Sequence, residues 1–245
     1  RIAILAAWLT FVVYVFGFAP GVPLGGGGEA GDQDLALLKA LINNPFDPAV
    51  NPFFVFFFNS LGIIPAIYGS LLIPGSSRQK PPTLPFILAS FFVGFFAIGP
   101  YLGLRADRST AASTLASVDD LTTPQRIAES KLTGLALLAS AIGLIYFALT
   151  SNGIMTGSAL PEFSTLFGSL KLVHVSTIDS VLLSGLMYGP ILEDLKRRNG
   201  PASLSSGMPL EVRAGLFCAL PLIGPCLHLV TRPSLLGEDA EQRES

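Results

Sequence analysis

The chain has 245 residues, half of them apolar (50%) and only 13% charged, against roughly a quarter charged in an ordinary soluble domain; this excludes a water-soluble globule. Fifteen Lys and Arg nearly balance seventeen Asp and Glu, so no basic face is large enough to follow a phosphate backbone, and nucleic acid is set aside as a partner. Two cysteines supply neither a disulfide scaffold nor zinc-ligand spacing.

A bilayer core of about 30 Å is crossed by about 20 consecutive, mostly apolar helical residues. Six stretches approach this: 2–19, 52–73, 84–104, 132–150, 170–192 and 214–230. The expected fold is therefore all-α, a polytopic bundle of about six transmembrane spans in one integral membrane domain covering residues 1–245. The first stretch opens at Arg1, already inside its apolar run, and is expected to be truncated there. Residues 20–51 carry the Gly25–Gly28 run and then Leu35, Leu37, Leu38, Leu41 and Ile42 around Lys39, which predicts a flexible turn and a short interfacial helix. Thr123-Pro124 offers a hydroxyl cap and a first-turn proline, so the fourth helix is expected to begin there, in water. The fifth ends in Lys196-Arg197-Arg198, cations that suit the negative end of the helix dipole, followed by the stop signal Asn199-Gly200-Pro201; it is expected to project about a turn beyond the bilayer. Pro221 and Pro225 kink the last stretch and leave a re-entrant or tilted path open. Residues 231–245 form a polar tail.

With six spans, the loops after the first, third and fifth share a face. They hold nine of the fifteen basic residues, so the positive-inside rule places them on the cytoplasmic or stromal side.

An ionisable group at the bilayer centre costs about 2.5–3.5 kcal/mol on the milder insertion scales, and two kinds stand out inside the spans. Asp179 lies about 13 Å into the fifth helix at 1.5 Å per residue. It reads either as a proton-relay or ion-coupling group, or as a packing group with Ser176, Thr177, Ser180 and Asn59 as neighbours; the lack of a second buried charge favours packing. His174 and His228 are expected near one face on consecutive helices, where they could meet. Such imidazoles could hold a haem axially, ligate chlorophyll magnesium, or bond to water and lipid headgroups. No intramembrane lysine suits a retinal Schiff base, and HExxH, GxSxG and P-loop patterns are missing, so no enzyme activity is expected. Cys218 and Cys226, eight positions apart on one expected helix, are too far apart to bridge.

Eighteen phenylalanines group as Phe53, Phe54, Phe56, Phe57 and Phe58, and as Phe91, Phe92, Phe95 and Phe96. They read as lipid-facing, or as walls for flat hydrophobic cofactors. Gly62, Ala66, Gly69, Gly94 and Gly99 in the same helices permit close approach.

The run from Asn51-Pro52-Phe53-Phe54 through Asn59-Ser60-Leu61-Gly62-Ile63-Ile64-Pro65-Ala66, with Gln79-Lys80-Pro81, Ser90-Phe91-Phe92-Val93-Gly94 and Pro100-Tyr101, resembles an uncharacterised family of multi-pass membrane proteins from cyanobacteria and plastids. Ser176-Thr177-Ile178-Asp179 through Glu193-Asp194-Leu195 is similar to that family's penultimate helix. The resemblance covers about residues 51–198 and implies a thylakoid or other plastid membrane. In that setting it implies a non-catalytic accessory subunit of photosystem I or II with antenna, bridging the photosystem core and light-harvesting subunits and binding chlorophyll, carotenoid and lipid. The Glu-x-x-Asn/His-x-Arg ligand motif of the main light-harvesting family does not occur, so His174, His228 and Asn59 are the candidate pigment-binding residues. A small-solute or ion transporter with Asp179 as its coupling group is the alternative, and a photosystem assembly factor a further one.

Overall fold

The structure is a computed structural model and describes residues 1–23, 26–77, 79–107, 121–198 and 208–233. Among these every regular element is helical, as expected. The glycine turn at 25, the stop signal at 199–201 and the polar tail from 234 lie wholly or partly outside the described residues.

The first half of the chain builds α1 (Ile2–Gly17), α2 (Glu29–Asn43), α3 (Pro52–Leu72), α4 (Thr83–Val93) and α5 (Phe95–Leu104). After the short α6 (Thr123–Glu129), the second half builds α7 (Lys131–Thr150), α8 (Asn152–Met155), α9 (Ala159–Ser169), α10 (Lys171–Leu186), α11 (Tyr188–Arg198), α12 (Leu210–Ala219) and α13 (Ile223–Thr231). Only α3, α7 and the continuous run Lys171–Arg198 are long and apolar enough to cross a membrane among the described residues. The expected six-span count is therefore not met.

Two of the six expected spans fold back. In a straight helix Thr83 and Tyr101 would be about 27 Å apart, yet their hydroxyls are 2.6 Å apart and Phe86 stacks on Tyr101 at 5.2 Å. The reversal is at Gly94, whose backbone (φ 50°, ψ −124°) lies where side chains are disfavoured. Residues 214–230 likewise split at Leu220–Leu222, and Phe217 and His228, about 16 Å apart in a straight helix, have ring centroids 5.0 Å apart. The stretch that Pro221 and Pro225 were expected to kink thus folds back on itself. Cys218 and Cys226 thus sit on different half-helices, both as free thiols.

The hairpins make the two halves alike. Each half has an apolar helix, a more polar connecting helix, a longer apolar helix, then a helical hairpin. Pro82 and Pro209 stand at the N-caps of the entering arms, and Arg105 and Arg232 at the C-caps of the returning arms. Ile98-Gly99-Pro100 recurs as Ile223-Gly224-Pro225 in those returning arms. Packing repeats too. α5 runs back along α1, where Gly99 and Gly103 meet Trp8 and Leu5, and α13 runs back along α7, where Gly134 faces the Leu229 backbone. The connecting helices α2 and α9 cross over. Asp34 of α2 accepts the Leu172 N–H at the start of α10 (3.2 Å), while Glu162 of α9 accepts from the side-chain amide of Asn51 (2.9 Å), the cap of α3. These acids sit where helix dipoles favour negative charge.

One end of the molecule therefore gathers α2, α8, α9 and the starts of α3 and α10. The other gathers Arg1, α6, the ends of α3, α5, α11 and α13, and the start of α12. The loops after the first and fifth expected spans emerge at opposite ends, which corrects the six-span layout. α3 and α10 form the centre, where the buried Tyr68 hydroxyl donates to the Leu183 carbonyl at 2.7 Å. Phe54 and Phe95 are fully buried there, whereas Phe91 and Phe92 remain on the outer surface. The expected start at Thr123 is kept, but Ser130 separates α6 from α7 by capping Leu132.

Candidate functional site

Asp179 sits on α10, about 12 Å from Lys171 at 1.5 Å per residue, and is 5% exposed. Its partner is not a polar side chain but the first peptide of a half-helix, since the Phe95 N–H donates to Oδ1 at 2.8 Å. The carboxylate therefore caps the positive end of α5. A Cβ at Gly94 would collide with it, so the hairpin tip can approach only because that position is glycine. Among the expected neighbours, Thr177 donates to the Val173 carbonyl and Asn59 to the Pro45 and Val55 carbonyls; neither bonds Asp179.

The two histidines do not meet. His174 lies at the start of α10, with Nδ1 2.8 Å from the Phe167 carbonyl and Nε2 2.6 Å from the Tyr14 hydroxyl. A carbonyl only accepts, so Nδ1 carries the proton and the Nε2 lone pair takes the tyrosine O–H. His228 is on α13, 1% exposed, with Nε2 2.9 Å from Asp194. Asp194 is about 30 Å along the broken helix from His174. The expectation of equal depth assumed a straight last span, and the fold-back reverses it.

Sequence reasoning missed the ionic cluster at the basic end. Glu193 accepts from Arg105 at 3.0 and 2.6 Å and from Arg197 at 3.1 Å. The fully buried Asp194 accepts from Arg198 (2.8 Å), His228, Arg197 (3.3 Å) and Arg232 (3.4 Å). Glu129 of α6 takes two bonds from Arg198, at 3.0 and 2.6 Å. Spare guanidinium hydrogens reach helix-end carbonyls: Arg232 to Ser70 and Ala128, Arg197 to Leu71. The expected projection of Lys196-Arg197-Arg198 into water holds for Lys196 alone; both arginines turn inward. The signal was present as Glu193–Arg197 and Asp194–Arg198, each at i,i+4 spacing, hidden by the assumption that the helix end was solvated. This cluster clamps the exit ends of both hairpins to one helix.

Among the described residues no group of three His, Cys, Asp or Glu side chains is placed to hold a metal ion. No protein-family model matches the chain, and no curated protein or solved structure is similar to it.

Proposed function

We propose that this chain is a transporter of a small solute or ion, with Asp179 as its coupling group. The supporting observation is a carboxylate at mid-depth that caps the tip of a re-entrant half-helix, where the two halves of the fold meet. Non-helical backbone at membrane depth occurs where it is buried in protein or lines a cavity. Repeat interfaces built from broken helices are where transporters place substrate and coupling-ion sites. Ionised Asp179 holds the Phe95 N–H and complements the α5 dipole; protonation removes the charge and weakens that cap. Proton occupancy is thereby linked to the position of the hairpin tip.

Orientation follows from charge. Among the described residues Lys39 and Lys171 lie at one end, while Arg1, Lys80, Arg105, Arg126, Lys131, Lys196, Arg197, Arg198, Arg213 and Arg232 lie at the other. The second end is assigned to the cytoplasmic or stromal side. A thylakoid or plastid membrane, with photosystem and light-harvesting subunits as partners, rests on the resemblance alone. So does the pigment-binding reading, in which His174, His228 or Asn59 holds chlorophyll. It is the weaker of the two, because ligation by His174 must first displace the Tyr14 hydroxyl and His228 is enclosed by protein.

The test is reconstitution in liposomes enclosing a pH-sensitive dye, challenged with a panel of small ions and solutes. Solute-driven proton movement is expected from the native chain and its loss from Asp179→Asn, which keeps an acceptor for the Phe95 N–H. Proton movement unchanged in the variant, or none with any solute for the native chain, refutes the assignment.

A further inference from the structure

A cavity of 560 Å³ lies against the tip of the second hairpin, between α3, α7 and α10. Its body is apolar, built from Phe56, Phe57, Ile145 and the Leu220–Ile223 tip, and no acidic or basic side chain lines it. Its polar groups are hydroxyls. Ser60 is already engaged, donating to the Phe56 carbonyl at 2.7 Å. Ser180, 3% exposed, and the half-buried Ser184 also line the cavity, and neither hydroxyl makes a hydrogen bond among the described residues. Both hydroxyls are free to meet the polar end of an occupant, and Ser180 is the more buried of the two. The tip is strained as well: Leu222 has φ 63°, which a branched side chain rarely adopts, and such strain concentrates at functional sites. Val181 and Leu220 flank the cavity and are 56% and 59% exposed on the apolar outer surface, so the mouth opens toward lipid at mid-depth.

We infer that this cavity binds a neutral, lipid-soluble molecule, a single isoprenoid or acyl chain ending in one hydrogen-bonding oxygen, which enters from the bilayer. The volume falls within the range of small-molecule sites. The aromatic and aliphatic wall suits a hydrocarbon chain, and the Ser180 hydroxyl supplies the partner for its oxygen. An uncharged lining at this depth rejects a carboxylate, phosphate or ammonium head, since an unpaired buried charge is strongly destabilising. The site is separate from the Asp179 junction and does not depend on the transport reading.

Cys218 lines the cavity and provides the reporter, whereas Cys226 is fully buried. The Cys226→Ala chain in lipid nanodiscs is alkylated with N-ethylmaleimide, and the rate is followed by intact mass. Farnesol is expected to slow alkylation saturably by about fivefold, whereas squalene, which has no head group, and farnesylamine, which is cationic, leave it unchanged. Ser180→Ala is expected to raise the farnesol concentration for half-protection about two- to tenfold, the range of one neutral hydrogen bond. Ser140→Ala, on the exposed face of α7, is expected to leave it unchanged. The inference is overturned if squalene or farnesylamine protects as well as farnesol does, if farnesol does not protect, or if Ser180→Ala behaves as Ser140→Ala.

Discussion

Asp194→Ala removes the hub of the ionic cluster. The carboxylate is fully buried and accepts from Arg197, Arg198, His228 and Arg232. Its loss leaves Arg198 with Glu129 and the Pro233 carbonyl, and Arg232 with two carbonyls and a longer contact to Glu129 at 3.6 Å. Breaking a buried pair while leaving its partner charged costs about 3–5 kcal/mol. Four guanidinium groups would then face only Glu193 and Glu129, which places this case at the upper end. The control is Lys196→Ala, which breaks an exposed 3.4 Å pair with Glu211 and is expected to leave stability close to that of the native chain. Equilibrium unfolding in detergent micelles or nanodiscs measures both. Because the charge left behind causes most of the loss, the double variant Asp194→Leu/Arg198→Met is expected to be more stable than Asp194→Ala. An Asp194→Ala chain within about 0.5 kcal/mol of the native one, or a double variant less stable than the single, refutes the reading of this cluster as a structural clamp.

Topology is tested by single cysteines placed in a chain carrying Cys218→Ala and Cys226→Ala, using a membrane-impermeant maleimide on sealed vesicles. Lys39→Cys and Ser164→Cys are expected to label from one side, and Lys80→Cys and Glu211→Cys from the other; six straight spans would instead pair Lys39 with Glu211. Gly94→Ala, at φ 50° and against the Asp179 carboxylate, is expected to destabilise the fold by roughly 1–3 kcal/mol from backbone strain alone. The same change at Gly143, which has open space around it, is expected to be neutral or slightly stabilising; equal thermal midpoints for the two variants would contradict this. Burial raises the Asp34 carboxyl above the usual carboxylate value, against the lowering effect of the Leu172 N–H bond. The folded state thus holds this proton more tightly than the unfolded one. Its stabilising contribution is present below pH 4 and lost as pH rises through the raised value. Asp34→Asn is therefore expected to gain thermal stability relative to the native chain at pH 7 and to lose that gain at pH 3, and melting curves at the two pH values decide it.

The residue types along the chain pointed to an all-helical fold and to helices long and apolar enough to cross a membrane, of which three are found among the described residues. Uninterrupted apolar runs dictate helices in lipid, and the sequence located α3, α7 and the long α10–α11 run within a few residues. Asp179 stood out because a carboxylate in such a run is costly, and the helix start at Thr123-Pro124 was readable from cap chemistry. Direction was not readable. Hydropathy measures how many apolar residues follow one another, and 84–104 and 214–230 are long enough to cross a bilayer. They turn back because Gly94 and Leu222 take left-handed backbone angles. Gly94 can do so against a carboxylate contributed 85 positions later by another helix. The same long-range contacts separated His174 from His228 and drew Arg197 and Arg198 out of water. An arginine at a helix end is written the same way in sequence whether it meets solvent or a buried glutamate, and only the approach of the other helices decides which.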